Sequence, residues 1–352
     1  MNFSLLDHPF VSQSPKEGFI PVTNPATLQE IAYVKSVGHT ELEQIIAHAH
    51  KAQKEWASKL ALERADILLK LRALLLENLE DLARILTQEM GKPLKEARSE
   101  IAYGASYLRW FAEQARRIDG DILPSVMHNQ KILVLKQPIG LCAAITPWNF
   151  PSGMIARKLA PALACGCAMV IKPATQTPLS AYALMALAQK AGVPSGVLSV
   201  VTGETKMIAK LFCESDLVRK ISFTGSTEVG KILAAQSAST LKKLSLELGG
   251  NAPFIVFEDA NLEKAAEGIM LSKFRNSGQT CVCANRIYVQ KSIYNELSAL
   301  LKSKVEGLKL GNGLEESTTQ GPLIDSKAVA KVQEHISDAT SKGAQILTGR
   351  AC

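Results

Sequence analysis

From residue 139 onward, short apolar runs alternate with helical segments, and this alternation restricts the chain to one class of fold. The runs are GLCAAITP, AMVIKP, VLSVVTG and KISFTG. Between and after them come a helix after Pro151, the helix SAYALMALAQKAG, a helix near 205–213 and a helix after Ser226. Strands that are apolar on every residue must be buried on both faces, so the pattern predicts an α/β fold with a parallel sheet and helices on either side. LKKLSLELGG then reads as a strand of strict alternation, with Leu244, Leu246 and Leu248 on one face and Ser245 and Glu247 on the other. Glu247 falls at its C-terminal end. A second α/β unit follows: strand PFIVF, a helix from about Asn261 to Asn276 stopped near Gly278, strand RIYVQ, and a helix from Ile293. Upstream, the apolar period from His39 to about Arg117 predicts three amphipathic helices, the second running unbroken from ERADILL to a stop at Gly91. No repeat or flexible linker separates the two α/β units, so the domain boundary near 246 is expected within continuous structure.

At 352 residues, 47% hydrophobic and 21% charged, the chain has enough apolar material for two packed domains. The start, MNFSLLDHPF, has neither the basic and apolar parts of a signal peptide nor an Arg-rich transit pattern, so a cytoplasmic location is expected. The longest nearly apolar run, LAPALACGCAMVI, is broken by Pro161 and Gly166 and is shorter than the roughly 20 residues that cross a bilayer. Seven irregularly spaced cysteines cannot all pair within one molecule and argue for reduced thiols. The formal charge of +7 is spread among acids, without basic runs interleaved with aromatics. This argues against nucleic acid and leaves a mild bias toward anionic ligands.

Three polar residues sit where packing does not explain them. Asn149, in TPWNFPS, follows a buried strand and can present an amide donor at the strand's carboxyl end, or bond its own backbone as a turn residue. Glu247, before Gly249 and Gly250, can take a proton at a strand mouth, or be a plain edge-strand glutamate. Cys281 follows Gly278-Gln279-Thr280 in a polar loop, where partial exposure suits a reactive thiolate, although a buried inert cysteine is the ordinary case. Cys283, one residue beyond, opens a four-sulfur zinc centre with Cys165 and Cys167, but C-x-C pairs are unusual for zinc and CGCAMVI resembles the start of a buried strand. No metal is expected. None of the six histidines has a strand-end or glycine-flanked setting, which disfavours a His-activated thiol. FTGSTEVG carries the nucleotide signal: Gly225 ends a strand, Ser226 can cap the next helix, and Gly230 permits close packing, so free N–H groups face a diphosphate. A structural cap explains it equally well. Lys172 adds a cation at the same sheet edge, or is a surface lysine.

Taken together, PWNFP, IKPA, FTGST, LELGGNAP and GQTC, in this order from 147 to 281, resemble the NAD(P)-dependent aldehyde dehydrogenase superfamily. The resemblance implies a Rossmann-type parallel-sheet cofactor domain over 1–246, with a protruding oligomerisation hairpin near 122–142, and a catalytic domain over 247–352. It implies that Cys281 attacks the aldehyde, that Asn149 and the Cys281 amide hold the oxyanion, and that Glu247 activates water against the thioester. Trp148, Gly225, Ser226, Gly230 and Lys172 then contact the cofactor. Thr175 stands where NAD-only relatives carry an acid, which implies that NADP is accepted beside NAD. KFRNSGQTCVCANR is similar to the succinate-semialdehyde dehydrogenase group, in which positions matching Arg157 and Arg275 grip the substrate's distal carboxylate; glutarate semialdehyde is a near neighbour. In that group the second cysteine can pair with the nucleophile, which gives Cys283 a redox role, or it simply fills the loop. Full-length relatives are homo-oligomers and continue beyond this length, so the chain is expected to be truncated in its catalytic domain and poor in stability. The alternative to an active enzyme is an inactive remnant that binds only nucleotide or a full-length partner.

Overall fold

A computed structural model describes residues 3–349. An antiparallel sheet opens the chain, β1 (Val11–Ser12), β2 (Phe19–Thr23) and β3 (Glu30–Lys35), ordered β1-β3-β2. The sequence reading did not anticipate it. The turn between β2 and β3 is set by Asn24, whose Oδ1 accepts from Ala26 N at 2.8 Å.

Four helices follow rather than three: α1 (His39–Ser58), α2 (Ala61–Glu77), α3 (Leu79–Met90) and α4 (Leu94–Ala115). The break inside the expected second helix is at Asn78, whose Nδ2 donates to Leu74 O at 2.8 Å and so offers the backbone a partner outside the helical ladder. A ribbon of β4 (Asp121–Leu123) and β5 (Ile132–Val134) then projects with Ile122, Val126, Met127 and Leu133 exposed. The ribbon is shorter than the expected 122–142 hairpin, because Leu141 and Cys142 already belong to the main sheet.

That sheet contains β6 (Leu141–Ile145), β7 (Ala168–Lys172), β8 (Leu198–Val200), β9 (Val218–Thr224) and β10 (Lys243–Glu247), all parallel, in the order β10-β9-β6-β7-β8. The intervening helices are α5 (Gly153–Ala164), α6 (Leu179–Ala191), α7 (Thr205–Glu214) and α8 (Thr227–Ser237). Side-chain alternation feeds two cores. Cys142 and Ala144, with Met169 and Ile171, join α2, α4, α5 and α6 on one face; Leu141, Ala143 and Ile145, with Ala168 and Val170, join α1 and α7 on the other. Leu244, Leu246 and Leu248 pack on the second core, which leaves Ser245 and Glu247 on the opposite face of β10.

Strand order reverses between β6 and β9, and ligands of open α/β sheets bind at the carboxyl ends of strands at such a reversal. Beyond β10 a separate small core, Val256, Ala266, Ile269 and Leu297, unites β11 (Ala252–Val256), α9 (Leu262–Phe274), β12 (Ala284–Val289) and α10 (Tyr294–Glu306). The last helix, α11 (Ser326–Ser341), starts on an Asp325 cap. Among the described residues no helix is long and apolar enough to cross a membrane.

Candidate active site

The strand-order reversal carries a cavity of about 530 Å³. Its walls come from Trp148 and Asn149 after β6, from Gly225 and Ser226 after β9, and from Arg157, Arg275 and Cys281. No histidine lines it.

The loop that carries Cys281 is held in an unusual backbone. The expected helix to Asn276 ends instead at Phe274, because Asn276, Ser277 and Gly278 all adopt the left-handed region, with φ of 53°, 54° and 76°. That conformation disfavours two of these residues, so outside contacts must fix it. Asn276 N donates to Glu96 Oε2 at 2.8 Å, its Nδ2 donates to Asn149 O at 3.0 Å, and Ser277 Oγ donates to Gly321 O at 2.9 Å. The Asn149 side chain joins the same lattice, its Nδ2 donating to Gln279 O at 2.9 Å. The outcome is an exposed Cys281 on a loop fixed by these bonds, lining one cavity with Asn149.

Beneath this loop lies a buried ion pair that the sequence reading missed. Lys92 Nζ donates to Glu100 Oε2 at 2.6 Å and to Asn149 O at 2.7 Å, while Glu100 Oε1 accepts from Ser152 N and Gly153 N at the start of α5. Burial pulls the Lys92 ammonium below its ordinary range, opposed by Glu100, and burial pushes the Glu96 carboxyl up, opposed by Lys92. Lys92 Nζ and the Arg275 guanidinium also approach the Phe150 ring, at 3.9 and 4.8 Å. One buried cation therefore ties the turn after β6 to α4 and α5.

Glu247 enters from the side. It pairs in register with Thr224, its carbonyl accepts from Gly225 N at 3.0 Å, and its side chain lines an adjoining cavity of about 280 Å³. Asn149 and Cys281 thus share one wall, while Glu247 belongs to the next cavity. Arg157 lines both, with Nη2 3.4 Å from Glu247 Oε1. The strand end is also tied to the thiol loop, since a Cβ on Gly250 would stand 2.6 Å from Cys281 O. Tyr107 faces Arg157 at 6.0 Å and hydrogen-bonds Tyr103, and burial raises its hydroxyl to about 12.

The dinucleotide positions fall along the same sheet edge. Ser226 caps α8 by accepting from Val229 N at 3.2 Å, and a Cβ on Gly230 would meet Leu248 Cδ2 at 2.6 Å, so a side chain there would displace the end of Leu248. Lys172 is buried at the end of β7, where burial lowers its ammonium to about 8 against the opposing charge of Glu204; Thr175 lies exposed three residues on. Neither lines the Cys281 cavity. The buried hydroxyls of Thr146, Thr224 and Thr280 have no partner within the protein, which leaves polar capacity at this edge for a ligand. Together with the α8 N-terminus these residues fit a dinucleotide.

Cys165 and Cys167 lie at the start of β7 beside Cys142 and line the smaller cavity, which neither Cys281 nor Cys283 lines. Cys283 is buried, with its thiol donating to Lys273 O at 3.2 Å, and both loop cysteines are free. The residues missed, Lys92, Glu96, Glu100 and Asn276, carry little local signal. N-S-G at 276–278 is the exception, since all three residue types favour turns.

The strands and the β6–β9 reversal form a parallel α/β fold whose ligands bind at the sheet's carboxyl edge. The chain belongs to the aldehyde dehydrogenase family, an oxidoreductase family, which it matches over residues 10–351. It is 57% identical to the 3-sulfolactaldehyde dehydrogenase of Pseudomonas putida, over 98% of this chain and 71% of that protein. It is 54% identical to the succinate-semialdehyde dehydrogenase [NADP(+)] of Escherichia coli strain K12, over 94% of this chain and 68% of that one. The crystal structure of succinate-semialdehyde dehydrogenase from Burkholderia pseudomallei superposes with a TM-score of 0.95 at 51% identity, covering 98% of this chain and 73% of that one.

Proposed function

We propose that this chain oxidises a short aldehyde with a distal anionic group, succinate semialdehyde first, to the corresponding acid, with NADP or NAD as acceptor. The observation that carries the reading is the exposed Cys281, lining one cavity with Asn149, Arg157 and Arg275. Cys281 Sγ adds to the aldehyde carbon, and the oxyanion is met by the Asn149 Nδ2 and the Cys281 N–H. Bound at the Gly225–Ser226 edge, the nicotinamide cofactor supplies a hydride acceptor. Glu247 then takes a proton from the water that cleaves the Cys281 thioester. The guanidinium groups of Arg157 and Arg275 hold the substrate's tail, a role supported by the relatives whose names specify anion-bearing aldehydes.

In this reading residues 1–246 bind the cofactor and supply Asn149 and Arg157, 247–352 supply Cys281, Glu247 and Arg275, and the exposed apolar ribbon at 121–134 serves contact between copies. A redox role for Cys283 requires its thiol to leave the Lys273 carbonyl. The deciding experiment is the appearance of reduced-cofactor absorbance with succinate semialdehyde and NADP. Soluble, cofactor-binding protein without turnover, and with no loss of Cys281 alkylation on adding aldehyde, would replace the enzymatic reading by that of a nucleotide-binding remnant.

A further inference from the structure

Three thiols gather away from Cys281. Cys142 lies on β6, and Cys165 and Cys167 flank the glycine between α5 and β7; all three line the cavity of about 280 Å³. The turn is a Schellman motif: Cys167 N donates to Ala162 O at 2.8 Å and Gly166 N to Leu163 O at 3.1 Å, with Gly166 at φ +83°. Glycine is required there by its φ, and by Pro138 Cγ, which would stand 3.0 Å from a Cβ. This reversal folds the flanking side chains together, placing Cys165 Sγ 3.6 Å from Cys167 Sγ. A disulfide bond of about 2 Å requires the two sulfurs to close by about 1.6 Å.

The surroundings favour a thiolate on one sulfur of the pair. Contacts with Cys142 and Cys165 and with the backbone at Gly140 and Ile139 pull the pKa of the Cys167 thiol down against the opposing effect of burial, while contact with Cys167 and burial push the Cys142 and Cys165 thiols up; the Cys165 thiol also reaches Ala162 O at 3.4 Å. Lys158, Lys220 and Glu247 line the same cavity, and of these Lys220 acts on the Cys142 thiol, in the lowering direction. Cys142 and Cys167 are buried and Cys165 is half-buried; Cys213, also buried, has no second thiol beside it, only Ser237 and a backbone carbonyl.

We propose that Cys165 and Cys167 form an oxidisable dithiol that reduces a hydroperoxide and is left as a Cys165–Cys167 disulfide, separately from Cys281. The Cys167 thiolate attacks the peroxide's terminal oxygen, the O–O bond breaks, and the alkoxide or hydroxide leaves with a proton, giving a sulfenic acid. Cys165 sulfur then attacks that sulfenic sulfur; the S–S bond forms, and the departing hydroxide takes the Cys165 proton as water. Two thiols lose two electrons, and one peroxide becomes an alcohol or water, plus water.

Cys165 and Cys167 are the only cysteines between Lys158 and Lys190, where trypsin releases one peptide because Pro173 blocks cleavage after Lys172. Hydrogen peroxide is added to the full chain until half of Cys281 no longer alkylates, and remaining thiols are then alkylated before digestion. The expected result is a fraction of peptide 159–190 lighter by two hydrogens, unalkylated, and returned to the doubly alkylated form by dithiothreitol. In Cys165→Ser and Cys167→Ser the lighter peptide is absent. Undiminished double alkylation of 159–190 alongside oxidised Cys281, or a crosslink from this peptide to the one bearing Cys142, overturns the proposal.

Discussion

Arg157 Nη2 stands 3.4 Å from Glu247 Oε1, so the residue assigned to the substrate's tail touches the residue assigned to the water. Both side chains are about half exposed, at 41% and 56%, and such a pair contributes only about 0–1 kcal/mol. A bound carboxylate can therefore draw the guanidinium away at little cost, leaving Glu247 free to accept a proton. Arg157→Gln should raise KM for succinate semialdehyde about tenfold to hundredfold, as expected for losing hydrogen bonds between charged groups. Turnover of an uncharged aldehyde such as butanal should change far less. Equal losses for both aldehydes would remove Arg157 from tail recognition.

Asn149 has two amide hydrogens, and one is engaged by Gln279 O at 2.9 Å. The other is available for a developing oxyanion. Asn149→Ala should lower kcat about 10²–10³-fold with KM nearly unchanged. The rate at which Cys281 reacts with iodoacetamide separates loss of the donor from collapse of the loop. If that rate falls in parallel with kcat, Asn149 acts on loop geometry rather than on the oxyanion.

The Lys92–Glu100 pair is almost wholly excluded from solvent, so removing one partner strands the other. Lys92→Met should destabilise the chain by about 3–5 kcal/mol, read as a lower denaturant midpoint. Glu100 keeps its two backbone donors at the start of α5, so Lys92→Met combined with Glu100→Gln, which removes the charge and retains an acceptor, should recover part of the loss. A double variant no more stable than the single one would show that an uncompensated charge is not the cause.

These partners also mark where sequence reading stops. The parallel sheet, the two faces of β10 and the Ser226 cap follow from local patterns, since side-chain period and capping chemistry act within a few residues. Gly230 was legible as a close-packing position, though not that Leu248 is what it admits. The Asn78 break was obscured because the apolar period on either side continues across it. Strand order, the Lys92 contact with Asn149 and the division of Glu247 from Cys281 between two cavities depend on residues far apart in sequence. No periodicity records such pairings.

Lys172 sets a pH dependence. Burial lowers its ammonium from 10.5 to about 8, so between these values the folded chain binds fewer protons here than the unfolded one, and this group's contribution to stability rises with pH across that window. For a ligand phosphate the sign is opposite. Above pH 8 the free chain has lost the charge that a 2'-phosphate would meet, and binding must take a proton back up. KM for NADP should therefore rise above pH 8, by up to about tenfold per pH unit, while KM for NAD rises less. Parallel profiles for the two cofactors would place Lys172 away from the phosphate.

Thr175, exposed three residues beyond Lys172, bears on cofactor choice through charge. An uncharged hydroxyl does not repel a 2'-phosphate, whereas a carboxylate there would oppose it across a solvent-exposed gap. Thr175→Glu should reduce kcat/KM for NADP about tenfold or more at low ionic strength and leave that for NAD unchanged or higher. Because the position is exposed, the discrimination should shrink as salt shortens the screening length to about 10 Å at 0.1 M and below. Discrimination that is independent of salt would point to a steric origin, and an unaltered NADP preference would mean that Thr175 does not face the ribose at all.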